Sequence, residues 1–240
     1  MERINASGQD FKTLNDCLRR AGDACTFENC CGQRFLAAGM AQVDLTIEGV
    51  PGNALGAYLN GAAITVKGNA QDAVGDTMNA GRIVIHGSVG DAAGYAMRGG
   101  EIFVRQNAGY RAGIHMKAYH DKVPALVIGG RAGSFLGEYQ AGGHIVVLGL
   151  HTDGKPAVGN YPCAGMHGGK VFLRGDLRGV RFPPQVHAGA AAPGDLAEIE
   201  PLIRTYCSLF SLDAEELLQT SFTVVTPNLE NPFRQLYVPN

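Results

Sequence analysis

Any chemistry in this chain would come first from its histidines and cysteines. Histidine stands at His86, His115, His120, His144, His151, His167 and His187, and cysteine at Cys17, Cys25, Cys30, Cys31, Cys163 and Cys207. A helical zinc site needs two ligands one turn apart, as in H-E-x-x-H, and no such run exists; His115 and His120 (HMKAYH) miss that spacing. The run CTFENCC, Cys25 to Cys31, contains no C-x-x-C and meets no second pair, so Cys30 and Cys31 read as thiols rather than as metal or iron–sulfur ligands. No serine or cysteine occupies a nucleophile elbow. The run GYAMRG (94–99) is not G-x-G-x-x-G, and G-x-x-x-x-G-K-[ST] is absent. Nor does a long helix follow these glycines, as a phosphate loop requires. The expectation is a chain with no catalytic residue, no bound cofactor and no metal of its own. One place is kept open: His115 and His167 lie in segments whose neighbours are Met or Gly and could flank each other in a groove beside the 150–162 segment. A hydrogen-bonded corner role is the competing reading.

The elements that must carry these residues form a repeat. Short runs meet a glycine in one slot: LTIEG (45–49), ITVKG (64–68), IVIHG (83–87), LVIGG (126–130), IVVLG (145–149) and VFLRG (171–175), while IFVRQ (102–106) puts Gln106 there. The slots Gly49, Gly68, Gly87, Gln106, Gly130, Gly149 and Gly175 are 19, 19, 19, 24, 19 and 26 residues apart, so extra residues enter near 119–125 and 150–162. A second glycine lies seven positions on, at Gly56, Gly75, Gly94, Gly113 and Gly137. A third lies thirteen on, at Gly81, Gly100 and Gly143, joined by Gly169 once the longer insertion is allowed for. Glycine supplies 34 of 240 residues, roughly twice its usual frequency. Three near-fixed glycines per repeat imply three corners, and the pieces between them are too short for helices. The pattern predicts a mainly β chain, a right-handed parallel β-helix of about seven three-sided coils.

Ten positions after each slot stand Leu59, Met78, Met97, Met116, Gln140 and Met166. Equivalent positions stack in a β-helix, so these six read as an inward ladder filling its core. Asp72, Asp76, Asp91, Arg98, Arg105 and Arg111, beside the corners, are expected to form ladders of opposite charge.

An open β-helix exposes strand edges that need covering. Residues 1–42 read as an N-terminal cap: Phe11, Leu14 and Leu18 make an amphipathic helix, and a strand-like stretch, 26–36, leads into the first coil. The β-helix occupies 43–182. Residues 183–240 read as a linker, helices at 195–210 and 213–220, one strand, and an extended arm. That arm carries Pro227, Pro232 and Pro239 beside Phe233, Leu236 and Tyr237, apolar groups that suit lying on this protein or on a partner.

Acidic residues number 22 and basic ones 20, a formal charge of −2. Nucleic-acid binding and a polybasic membrane surface are therefore not expected. No run has transmembrane length and Met1 to Arg20 lacks a signal-peptide layout, so a cytoplasmic, reducing setting without disulfides is expected.

The run GVPGNALGAYLNGAAITVKGNAQDAVGDTMNAGRIVIHGSVGDAAGYAMRGGEIFV (49–104) resembles the glycine-repeat (GXGXG) domain at the C-terminal end of the glutamate synthase large subunit. The resemblance continues through GYRAGIHMK (109–117), VIGGRAGSFLGEYQAGG (127–143), VLGL (147–150) and AGMHGGKVFLRG (164–175). With its N-terminal helix, GQRF (32–35) and C-terminal helices, the chain is most similar to the stand-alone form found in split glutamate synthases. The resemblance implies a non-catalytic β-helix subunit. Its partners would be a glutamine-hydrolysing amidotransferase chain and a synthase chain carrying FMN and an iron–sulfur cluster, together making glutamate from glutamine and 2-oxoglutarate. The domain also resembles subunits of N-methylglutamate synthase-type and formylmethanofuran dehydrogenase-type complexes. Gln106, Gln140 and the Cys30–Cys31 pair depart from the family's pattern. A self-standing small-molecule binding module, or a homo-oligomer when isolated, is the alternative that the residues leave open.

Overall fold

A computed structural model describes residues 2–228 of the chain. The elements are β1 (Glu2–Asn5), α1 (Phe11–Arg20), β2 (Ala24–Cys31), β3 (Asp44–Val50), β4 (Asn60–Val66), β5 (Ala80–Ile85), β6 (Glu101–Val104), β7 (Ala125–Ile128), β8 (Ala141–Val147), β9 (Gly168–Arg174), β10 (Val186–Ala190), α2 (Pro193–Phe210), α3 (Ala214–Leu218) and β11 (Phe222–Pro227). From β2 to β9 the strands stack in chain order and run parallel, so seven turns of a β-solenoid separate the eight of them. Every slot aligns with the next, as the register Leu45↔Ile64, Ile64↔Ile83, Ile83↔Ile102, Ile102↔Leu126, Leu126↔Ile145 and Ile145↔Val171 shows. All these side chains point inward and are fully buried. Branched residues at alternate positions suit a pleated surface with one face in a core.

Only this side of each coil is a regular strand. The second side is reduced to single parallel bridges that link Ala70, Val89, Ala108, Ala132 and Val158 from coil to coil. The third side differs from the expected strand. Five, seven and nine positions after the slot the backbone is left-handed, as at Ala54, Gly56 and Tyr58, and again at Arg111, Gly113 and His115. It is still bonded between coils: the amide of Ala54 donates forward to Asp72 O (2.9 Å), that of Gly56 backward to Leu36 O (2.9 Å), and that of Tyr58 forward to Asp76 O (2.7 Å).

The three glycine sets were given one role in the sequence, a corner, and the structure divides them. Gly81, Gly100, Gly143 and Gly169 are left-handed at the entry to a strand. Gly56, Gly75, Gly94, Gly113 and Gly137 lie in the middle of the left-handed side. Gly68, Gly87 and Gly130 in the slot are not left-handed; close approach constrains Gly87 and Gly130, whereas a Cβ on Gly68 would meet only Gly49 O at 3.4 Å. A Cβ on Gly87 would stand 2.2 Å from Asn69 Oδ1, which accepts the Ser88 amide at 2.8 Å. Gly49, Gly149 and Gly175 in the same slot are left-handed.

The coil register begins one turn before residue 43. Cys30 pairs with Gly49 in the slot, and Phe35, Ala37 and Gly39 take the three left-handed positions. Cys30 is thus a buried member of a first coil that carries no slot glycine. A strand that the sequence did not announce, β1, pairs parallel with β2 on its outer edge. Asp10 accepts the Thr13 amide (2.9 Å) to start α1, whose Leu14 and Leu18 enter the solenoid's interior cluster. Its Asn15 bridges Phe35 O (2.9 Å) and the Ala37 amide (2.8 Å).

At the other end β11 turns back antiparallel on β9, and β10 pairs with β11. The helix α2 does not cover an end; it lies along the outward side of the strands. Outward residues are Thr46 and Thr65 in the early coils but Val84, Phe103, Val127, Val146 and Phe172 in the later ones, and the latter form a second cluster with Ile199, Ile203, Tyr206 and Phe210. Tyr206 donates to Arg105 O at 2.9 Å. Gly129 makes room for this, since a Cβ there would fall 1.8 Å from the Tyr206 hydroxyl. The arm residues Pro232, Phe233, Leu236, Tyr237 and Pro239 lie outside the described residues.

Candidate functional site

The ladder residues Leu59, Met78, Met97, Met116, Gln140 and Met166 are all fully buried in the interior. Gln140 is the odd member: its Nε2 donates to Gly143 O (3.0 Å), while Oε1 is buried with no hydrogen-bond partner. His115 and His167 do not meet as a pair. His115 follows β6 and His167 follows β8, with the coil bearing Tyr139 between them. His115 is exposed, with its ring stacked on Tyr139 (5.1 Å, 12°) and edge-on to Tyr95 (5.9 Å). The Nδ1 of His167 stands 3.1 Å from Gly165 O. No group of three or more His, Cys, Asp and Glu suited to a metal occurs among the described residues.

The acidic residues beside the corners do not make opposite-charge ladders. Asp72 accepts the Asp91 amide (2.9 Å), and Asp91 accepts the Tyr110 amide (2.8 Å) one coil further on. Each carboxylate therefore satisfies a backbone donor of the next coil, a charge-assisted bond that holds the turn. Asp76 accepts from the Thr77 hydroxyl (2.7 Å), and Arg111 pairs with Glu138 (3.1 Å).

The cysteines are free. Burial pushes the Cys163 thiol up to about 12 and those of Cys25 and Cys30 up to about 11, so all three are inert thiols at neutral pH. Cys163 takes the left-handed position that glycine holds in the preceding coils, with φ +61°. At Gly56, Gly75 and Gly113 the atom nearest a Cβ is an isoleucine Cδ1 of the following coil's strand. Cys163 belongs to the last coil, where no further parallel strand crowds it.

What the surface offers instead is an aromatic row. Phe35, Tyr58, Tyr95, Tyr110, Tyr139 and Tyr161 are exposed, and all lie on the left-handed side or at its start. Arg111 sits over Phe135 (5.1 Å), which stacks on Tyr161 (5.5 Å, 24°). Phe35, Tyr58, Tyr139 and Tyr161 project from left-handed positions five or nine past the slot, once the longer insertion is allowed for, whereas Tyr95 and Tyr110 stand one position before such a residue and are not left-handed. The sequence held this signal as a register shared by Arg111, Phe135 and Tyr161, but those residue types do not announce a left-handed backbone. Exposed aromatic area rimmed by polar groups marks surfaces that meet other molecules.

Fold and surface together define a glycine-registered β-solenoid with a broad aromatic side. The chain belongs to the GXGXG motif family, whose model matches residues 12–229. It is 42% identical over 251 aligned positions to an uncharacterised protein of Methanocaldococcus jannaschii, covering 99% of this chain and 96% of that one. It also resembles a chain in the crystal structure of the formyltransferase/hydrolase complex from Methylorubrum extorquens with methylofuran. There the TM-score is 0.66 at 20% identity, over 92% of this chain and 89% of the other. That likeness carries the fold, and the neighbour is part of a multi-subunit assembly. No described helix is long and apolar enough to cross a membrane.

Proposed function

We propose that the chain is a non-catalytic structural subunit of a split glutamate-synthase-like complex. It would hold an amidotransferase chain and an FMN/iron–sulfur synthase chain in a fixed relation, and the flavin and the cluster would belong to the latter. The observation that carries this reading is the exposed aromatic row along a stiff, seven-turn solenoid. Stacked coils bonded to both neighbours transmit position over their whole length, as a spacer between two active sites requires. A second reading is favoured by the likeness to a chain of the formyltransferase/hydrolase assembly: the same scaffold role in a formylmethanofuran dehydrogenase-type complex. An N-methylglutamate synthase-type complex is the third member of this group.

Native capture of the full-length chain, with mass spectrometry and an absorbance spectrum of what accompanies it, tests the proposal. An amidotransferase and a yellow-brown flavin/iron–sulfur chain support the first reading, and activity with ammonia or methylamine then chooses between glutamate and N-methylglutamate. A tungsten- or molybdenum-containing partner moves the chain to the second. A partner-free, stable monomer sinks the scaffold proposal. Tyr139→Ser with Tyr161→Ser should release the partners while leaving the circular dichroism spectrum unchanged.

A further inference from the structure

One position past the methionine ladder, Arg98 and Lys117 occupy the same register on adjacent coils. Their amides donate to Met78 O (2.8 Å) and Met97 O (3.0 Å), the same bond one coil apart. Their backbones are therefore stacked about 4.8 Å from each other, which places two half-buried cationic residues at one corner. The short hairpin Tyr119–Lys122, closed by a pair of 3.0 Å bonds, folds against this corner. A Cβ on Gly99 would lie 3.2 Å from the Cβ of Lys122, so a third cation is anchored beside Arg98.

Among the described residues no carboxylate forms an ion pair with Arg98, Lys117 or Lys122. Glu101 is committed to Arg82 (2.7 Å) and Glu138 to Arg111 (3.1 Å). Asp121, exposed in the hairpin itself, forms no ion pair with a described residue. The Nε of Arg98 is buried and has no hydrogen-bond partner. A buried guanidinium donor left unmatched, between like charges held in register, is the arrangement that an anion completes. A neutral polar partner would satisfy the donor but leave the repulsion.

We infer that this corner is a binding site for a small oxyanion, a carboxylate or a phosphate group, held by Arg98, Lys117 and Lys122. The planar guanidinium of Arg98 suits two oxygens of one such group. The lysines add charge from the next coil and from the hairpin. The inference is independent of which complex the chain serves.

Thermal unfolding of the full chain at constant ionic strength tests it, with sodium chloride replaced stepwise by inorganic phosphate or by succinate. The expected result is a Tm that rises and saturates with one or both anions. Phosphate also stabilises proteins by exclusion from their surfaces, which does not saturate and persists in variants. Lys117→Gln and Lys122→Gln should each weaken the saturable rise at least fivefold in midpoint concentration, and Arg98→Gln should abolish it. Saturation by phosphate alone assigns a phosphoryl ligand, and saturation by succinate alone a carboxylate. The inference is overturned if no rise exceeds that in chloride, or if the lysine variants, with circular dichroism spectra like the parent's, keep the parent's midpoint.

Discussion

The second glycine of each repeat allows crowding to be separated from backbone strain. Gly75 and Gly94 are both left-handed, with φ of +69° and +71°. A Cβ on Gly75 would lie 2.4 Å from Ile102 Cδ1, whereas on Gly94 its nearest neighbour is Leu126 Cδ2 at 3.6 Å, an ordinary contact. Alanine at Gly94 therefore meets the backbone term alone, about 1–2 kcal/mol. A narrower unfolded ensemble offsets about 0.4–1 kcal/mol of that. Alanine at Gly75 adds an overpacking term of about 1–3 kcal/mol. At roughly 2–4 °C per kcal/mol for a chain of this size, Gly94→Ala should lower Tm by at most about 6 °C and Gly75→Ala by about 2–18 °C, the latter always the larger loss. Ile102→Val removes the colliding carbon. Alone it should cost about 0.5–1.5 kcal/mol, yet in the Gly75→Ala background it should raise Tm. Thermal unfolding by circular dichroism of the four variants closes the cycle. Equal losses for the two alanines, or an Ile102→Val change that simply adds to Gly75→Ala, would refute the claim that the following coil's isoleucine dictates glycine.

Other consequences are as direct. Gln140→Met should raise Tm by about 2–5 °C in the same assay, since it removes a buried oxygen without a partner at the cost of the modest bonds from Nε2 to Gly142 O (3.3 Å) and Gly143 O (3.0 Å). Tyr206→Phe should lower stability by about 1 kcal/mol by stranding Arg105 O, and Gly129→Ala should free α2 outright, seen as new protease cleavage between residues 176 and 192. His144 is desolvated under α2, and this burial pushes its pKa down although Glu198 stands 3.3 Å away and Lys170 adds to the downward shift. A base with a lowered pKa in the fold favours the folded state above the ordinary value near 6.5 and loses that contribution as the pH falls through the folded value. Tm should therefore drop from pH 7 to pH 5, and His144→Gln should flatten that drop. A thiol reagent should modify exposed Cys31 and then Cys17 in the native chain, with Cys25, Cys30 and Cys163 reacting only after denaturation.

The period was legible because the strand side is specified locally. In ITVKG and IVIHG branched residues mark the strand, and after IVIH a residue without a Cβ must follow, since Asn69 occupies the space beside Gly87. The left-handed side was not legible. Ala54, Arg111 and Phe135 adopt positive φ without any of them being a residue type that favours it. Their conformation is set by bonds to other coils, such as Ala54 to Asp72 O, and eighteen residues of separation hide that from any local pattern. Cys30 shows the same limit: its coil lacks a slot glycine, so only pairing with Gly49 reveals it. The position of α2 lay between these cases. Its apolar face was readable, and so was the change outside the sheet from Thr46 and Thr65 to Val84, Phe103, Val127, Val146 and Phe172, which requires a cover over the later coils.

That change of outward residues also bears on function. A solenoid with three sides has three places for a partner, and the chain uses one of them itself, because α2 seals the apolar part of the strand side with Tyr206 pinned to Arg105. The bridge side is closed differently: its Asn69, Ser88 and Asn107 side chains are spent on the amides of the next coil. The left-handed side differs: its backbone groups are satisfied between coils, and its outward rings Tyr58, Tyr139 and Tyr161 stay exposed, the last two stacked only on rings of the preceding coil. Strained φ values at residues with large side chains cost about 1–3 kcal/mol each and persist where surrounding structure imposes them. Here the imposed geometry is what aims Arg111, His115, Phe135 and Tyr139 outward in stacks, so the side least legible in the sequence is the one with surface left to offer a partner.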